Sequence, residues 1–286
     1  MKKLARIIAV SLLGIPLLAA PASGQHDMAF DFRMTDSGTA GMQTINGTST
    51  GRAIVSKGRV RLDARGTART LAMPGSAPGD DVTMIILDSG KTIIYANPKT
   101  KQYMHFDPME AMDRMQKAME GMGASMKFDF TGDPKIEDLG AGPVILGHKT
   151  QHYRATMGMT MTMNMMGESQ TMEMSAVTDQ YLAHDLRNLP NPFASMSSSA
   201  ISGMMGGANK AYIERLKAVQ AKLPHAMELR AESQVTISGA GSMGSMKNVR
   251  EITGIKETTA SNAQFTVPAG YTKVDLPMPG GRVPPE

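Results

Sequence analysis

The chain has 286 residues, enough for one large domain or two small ones, and its 41% hydrophobic and 20% charged content excludes disorder driven by excess charge. It has no Cys, which excludes disulfides, thiolate metal sites, cysteine nucleophiles and lipidated cysteines, and aromatic residues at 5% cannot dominate a core. What stands out is 28 Met, set against a formal net charge of only +4.

Residues 1–24 have the layout of a secretory signal peptide. Lys2, Lys3 and Arg6 form a positive start, Ile7 to Leu18 an apolar stretch, and cleavage is expected near Ala22 to Gly24. The apolar stretch is too short to span a bilayer and Pro16 interrupts it; no later stretch is long and apolar enough. The expectation is a soluble exported protein, periplasmic or secreted. Losing the three leader cations takes the net charge from +4 to +1, which gives nucleic acid little to bind.

The mature chain opens with Met28, Phe30, Phe32 and Met34 alternating with smaller or charged residues, the period of a strand with one buried face. A hairpin is predicted where Arg52 to Ser56 and Arg59 to Arg65 flank Lys57-Gly58. Short strands follow at Val82 to Leu87, Thr92 to Tyr95 and Gln102 to Phe106, with a turn at Asn97-Pro98.

The period then changes. Asp107 can cap a helix, Pro108 suits its first position, and Glu110 can complete a capping box. Met109, Met112, Met115, Met119 and Met122 recur every three or four residues, which predicts a helix near 108–122 with a methionine stripe. Strand character resumes at Met126 to Phe130. From Lys149 to Met166, Met157, Met159, Met161, Met163 and Met165 alternate with small or polar residues, predicting one long strand or two joined at Gly158. A return strand covers Thr171 to Val177. Residues 188–207 form a predicted loop, a second helix falls near 209–222, and strands are predicted at 227–237, 246–258 and 263–267.

The predicted fold class is therefore mainly β. Ten or eleven strands form a single antiparallel, strongly curved sheet with two inserted helices, in one domain over 25–276 with a flexible tail at 277–286.

Three segments carry a resemblance. They are Gly90 to Tyr103, with its Asn-Pro turn; Gly147-His148-Lys149-Thr150-Gln151-His152-Tyr153-Arg154; and Phe265-Thr266-Val267-Pro268-Ala269-Gly270-Tyr271. Their order resembles a family of exported proteins catalogued as a domain of unknown function and allied to the LolA-like periplasmic lipoprotein carriers. The resemblance implies an unclosed β-barrel with a helical lid and an apolar cavity, and a lipid or lipoprotein acyl chain as partner. The methionine load, the low aromatic content and the methionine helix depart from the carriers, and no functional residue of theirs is carried over.

Methionine is flexible and polarizable, so a surface lined with it re-packs around variable apolar partners. If the strand set (Met157, Met159, Met161, Met163, Met165) and the helix set (Met109, Met112, Met115, Met119, Met122) face one cavity, they form a soft pocket for acyl chains. Three other readings stand beside it. Met replaces Leu in an ordinary core; a Met-rich contact surface serves an envelope scaffold with an unknown protein partner; or Met159, Met161 and Met163 bind Cu(I), for which thioethers are selective ligands. Against copper, neighbours on one face of a strand stand about 6–7 Å apart along it. His148 and His152, four apart in an extended segment, lie about 13 Å apart and make a poor metal pair. No nucleophile elbow, phosphate loop or zinc helix is present in the sequence. The sequence thus points to a non-enzymatic binding protein for a lipid or other apolar ligand, needing no cofactor.

Overall fold

The computed structural model describes residues 27–40, 43–71, 79–88, 91–107, 110, 113–114, 117, 121, 123–165, 168–193, 214, 218, 224, 226–239 and 244–275. The predicted leader and tail therefore lie outside the described residues.

Six strands come first: β1 (Asp27–Ala40), β2 (Gln43–Ser56), β3 (Arg59–Gly66), β4 (Val82–Leu87), β5 (Thr92–Asn97) and β6 (Gln102–Phe106). Five more follow: β7 (Ala124–Ile145), β8 (His148–Met165), β9 (Glu168–Ala183), β10 (Met227–Ser238) and β11 (Gly244–Thr258), with the short β12 (Thr272–Lys273) last. Among the described residues all twelve strands belong to one sheet in the order β12-β6-β5-β4-β3-β2-β1-β11-β10-β9-β8-β7, which is not closed into a barrel. Two meanders, β1–β6 and β7–β11, thus lie side by side and join where β1 pairs with β11 from Asp27↔Thr258 to Ala40↔Gly244.

Local chemistry sets the hairpins. Lys57 and Gly58 both take positive φ, 49° and 76°, the two-residue turn whose twist suits a hairpin, and Leu146 (51°) and Gly147 (83°) repeat it between β7 and β8. At Asn97 the side-chain Oδ1 accepts from the N–H groups of Lys99 (2.9 Å) and Thr100 (3.2 Å), fixing the predicted Asn-Pro turn.

The structure corrects the sequence-based expectation in three places. The sheet is mixed, not strictly antiparallel, because β12 runs parallel to β6 through Thr272↔Gln102 and Lys273↔Tyr103. A hairpin can deliver only an antiparallel neighbour, whereas β12 arrives by a crossover over the sheet. The strand predicted at 263–267 is instead a 3₁₀ turn at Asn262–Phe265, where Ser261 N–H donates to Gln264 Oε1 at 2.8 Å and Gln264 N–H donates to Ser261 O at 3.2 Å. Finally, β7 runs far beyond Phe130 despite Gly132, Pro134, Gly140 and Pro143. As the edge strand it pairs on one side only, and register shifts after Thr131, Asp138 and Ala141 absorb the residues that cannot join the ladder.

From β6 the chain reaches the opposite edge, β7, through residues 107–123. Residues 110, 113, 114, 117 and 121 there are α-helical, as are 214 and 218, and Glu110 N–H donates to Asp107 Oδ1 at 3.1 Å, the cap the sequence predicts. The rest of each predicted helix lies outside the described residues.

One face of the sheet carries the main core. Phe30, Phe32, Leu62, Met84, Ile86 and Met104 are fully buried on it, with Phe193 set edge-on against Phe32 at 5.6 Å between ring centroids. Dense apolar burial of this kind supplies most of the free energy that favours folding. On the second face Ile85 and Ile94 pack with Phe265, so the segment after β11 straps the β1–β6 meander from outside.

Candidate functional site

Alternation in β8 puts Met157, Met159, Met161 and Met163 on one face, and the pairing with β9 decides what they meet. Met159 stands opposite Met174, Met161 opposite Met172, and Met157 opposite Ala176. Six thioethers therefore occupy one face of two adjacent strands, with directly opposed residues about 4.5–5.5 Å apart. Met159, Met161 and Met172 are buried, while Met157, Met163 and Met174 are half-buried. The next strands continue the apolar surface: Phe130 of β7 opposes Met159, and Ile237 and Val235 of β10 oppose Met174 and Ala176.

Of the ten methionines singled out from sequence, the structure thus brings together Met157, Met159, Met161 and Met163. It adds Met172 and Met174, which periodicity alone assigns to a return strand and not to the site. Met109, Met112, Met115, Met119 and Met122 lie outside the described residues, as does the side chain of Met165.

Farther along the same face is a polar island that sequence reasoning missed. Reading across the strands, Met34 opposes Arg250, Arg250 opposes Ala231, Ala231 opposes Gln180, and Gln180 opposes Tyr153. Arg250 donates through Nε to Glu228 Oε1 at 2.6 Å and through Nη2 to Oε2 at 3.0 Å, and Gln180 Nε2 donates to that same Oε2 at 2.5 Å. All three side chains are buried, and Phe193 lies over the guanidinium at 5.8 Å. The hydroxyls of Thr178 and Ser233, also buried, meet at 3.1 Å. Gln180 Oε1 is buried and has no hydrogen-bond partner among the described residues. The only sequence clue was a glutamate inside the apolar pair Met227 and Leu229; its arginine partner is a strand away.

The opposite face of the same strands is charged. Asp179 accepts from Arg154 Nε (2.8 Å), Arg154 Nη2 (2.9 Å) and His152 Nε2 (2.9 Å), and the His152 ring stacks on Tyr181 at 4.7 Å. Glu232 joins Arg230 at 2.7 Å and Lys247 at 2.8 Å. Burial raises the Asp179 carboxyl, but its Arg154 and His152 partners outweigh that and hold it below the ordinary carboxylate range. His148 pairs with Asp185 at 2.6 Å, so each of these two histidines has its own carboxylate. Among the described residues no group of three His, Asp or Glu side chains is placed to hold a metal ion. No described helix is long and apolar enough to cross a membrane.

No family model matches the chain, and no curated protein sequence does. The ywiB protein from Bacillus subtilis aligns with 80% of this chain and 95% of its own at 6% identity, with a TM-score of 0.20. PNGF-II aligns with 85% of this chain and 30% of its own at 10% identity, with a TM-score of 0.22. Superpositions this poor carry no argument about fold or function.

Proposed function

We propose that the chain is a non-enzymatic exported protein that holds an acyl chain or other apolar ligand against the methionine-lined face of β8 and β9. The observation that carries this reading is the register of the two strands, which gathers six unbranched, rotatable thioether side chains beside the small Ala155 and Ala176. Such a surface re-packs around chains of different shape at little cost, where Leu or Ile would impose one contour. The resemblance to LolA-like lipoprotein carriers points the same way, as do the leader-like first 24 residues and the periplasmic or secreted address they imply. In this reading the sheet curves around the ligand. The ion pairs Glu110–Arg114 and Asp113–Lys117 are exposed to water.

Lipid extraction and native mass spectrometry of the mature protein test this. Co-purifying lipid, or saturable binding of a fluorescent fatty-acyl probe, is the expected result. A protein that carries no lipid and ignores the probe would overturn it.

A specific observation also favours Cu(I) as a second reading. Spacing along β8 alone separates Met159, Met161 and Met163 too widely, but Met172 and Met174 stand directly across from Met161 and Met159. Four soft ligands in a two-by-two patch suit Cu(I). Changing Met159, Met161, Met172 and Met174 to Leu separates the readings. An acyl binder still binds its probe, because volume and polarity are preserved, but tolerates a narrower range of chain shapes. A copper binder loses its stoichiometric site in titration against a competing chelator.

A further inference from the structure

We infer that the ligand is a neutral amphiphile whose head group donates a hydrogen bond to Gln180 while its tail runs along β9 to the methionines. The inference rests on the acyl-binding reading and names the class of lipid. Along β9, Gln180, Thr178, Ala176, Met174 and Met172 share one face, since its ladder with β8 has no register shift. At about 3.3 Å per residue, Gln180 stands about 20 Å from Met174, on the scale of an extended long acyl chain. The residues between are small or hydroxylated, and so is their β8 neighbour Ala155.

Gln180 supplies the recognition. Glu228, an acceptor only, takes the amide NH₂ group at 2.5 Å, which fixes how the amide is turned and leaves its carbonyl Oε1 on the other side. That oxygen is buried and has no partner among the described residues. Buried polar atoms are almost always satisfied, so an orphan of this kind needs an explanation, and a ligand donor provides one. Charge narrows the choice. Arg250 already meets both carboxylate oxygens of Glu228, so the charges of that pair cancel, and Asp36, also buried on this face, is itself an acid. A fatty-acid anion would bring only acceptors to an acceptor, beside a glutamate. A hydroxyl or amide head group brings the missing donor with no uncompensated charge.

The test compares 1-monolauroylglycerol, methyl laurate and laurate as competitors for a fluorescent acyl probe bound to the full mature protein. The three share a tail and differ only in head group. The glyceride is expected to bind at least about tenfold tighter than the ester, the scale of one well-made hydrogen bond to a buried acceptor, and tighter than laurate. In Gln180→Leu this preference falls to about one, while the ester is held as before. Equal affinities for glyceride and ester in the unaltered protein, a comparison needing no variant, would overturn the inference and leave the acyl-binding reading standing. So would a Gln180→Leu protein weakened equally toward both. If no competitor displaces the probe and the probe itself does not bind, it is the acyl-binding reading that fails.

Discussion

Arg250 and Glu228 face each other from β11 and β10 through two parallel hydrogen bonds, 2.6 and 3.0 Å long, with both side chains removed from water. Desolvating two charges offsets most of their attraction, so such a pair adds little net stability, yet losing one partner strands the other. Arg250→Met is expected to cost about 3–5 kcal/mol in urea unfolding. The double change Arg250→Met with Glu228→Leu should recover most of that loss. Additive single and double costs would show that the pair is not coupled as the structure has it.

Asp179 gives the molecule an acid-sensitive point on the opposite face. Its Arg154 and His152 partners keep the folded carboxyl below the ordinary value of 3.8, despite the burial that raises it. A carboxyl depressed in the folded state contributes stability that is fully present above the unfolded value and is lost as pH falls through the folded one. Asp179→Asn should therefore lower the urea midpoint by a constant amount near neutral pH. That difference should shrink below about pH 4, as both proteins come to carry a neutral group there. A difference unchanged down to pH 2 would mean that the Asp179 pairings do not form.

Oxidation offers a map of the methionines. Thioethers convert to sulfoxides according to their exposure. Dilute peroxide on the folded protein should modify half-buried Met157, Met163, Met174 and Met246 first, and the fully buried Met34, Met84, Met104 and Met227 last, as followed by peptide mass spectrometry. A bound acyl probe should slow the first three and leave Met246 less affected. Uniform oxidation of all eight would contradict the burial pattern.

Strand identity was readable where the period was clean. Met28 to Met34, the Lys57-Gly58 hairpin and the alternation through β8 all carry local signals, and each of these elements forms. The edge strand β7 was not readable beyond Phe130 because glycines and prolines that ordinarily end a strand are tolerated where a neighbour exists on one side only. Residues 263–267 have strand composition, but Ser261 and Gln264 close a turn on each other first. Four of the six methionines in the patch could be found from spacing. The other two, and the whole Arg250–Glu228–Gln180 island, depend on which strands become neighbours, information that periodicity within one strand does not hold.

The strap after β11 tests how the two meanders are held. Phe265 is buried against Ile85 and Ile94, Arg59 lies over its ring at 4.4 Å, and Arg61 Nη1 donates to Gln264 O at 3.0 Å. Beyond it, Thr272 N–H and Val274 N–H donate to Lys101 O and Tyr103 O, each at 2.8 Å, which seats β12 on β6. Because β12 has only two residues, its pairing depends on the anchor that delivers it. Phe265→Ala should cost about 3–5 kcal/mol, the usual loss for a buried Phe. It should also speed amide hydrogen exchange at Thr272 and Val274 far more than at Met28 or Phe30 in the centre of the sheet. Unchanged exchange at those two amides would show that β12 holds its place without the strap.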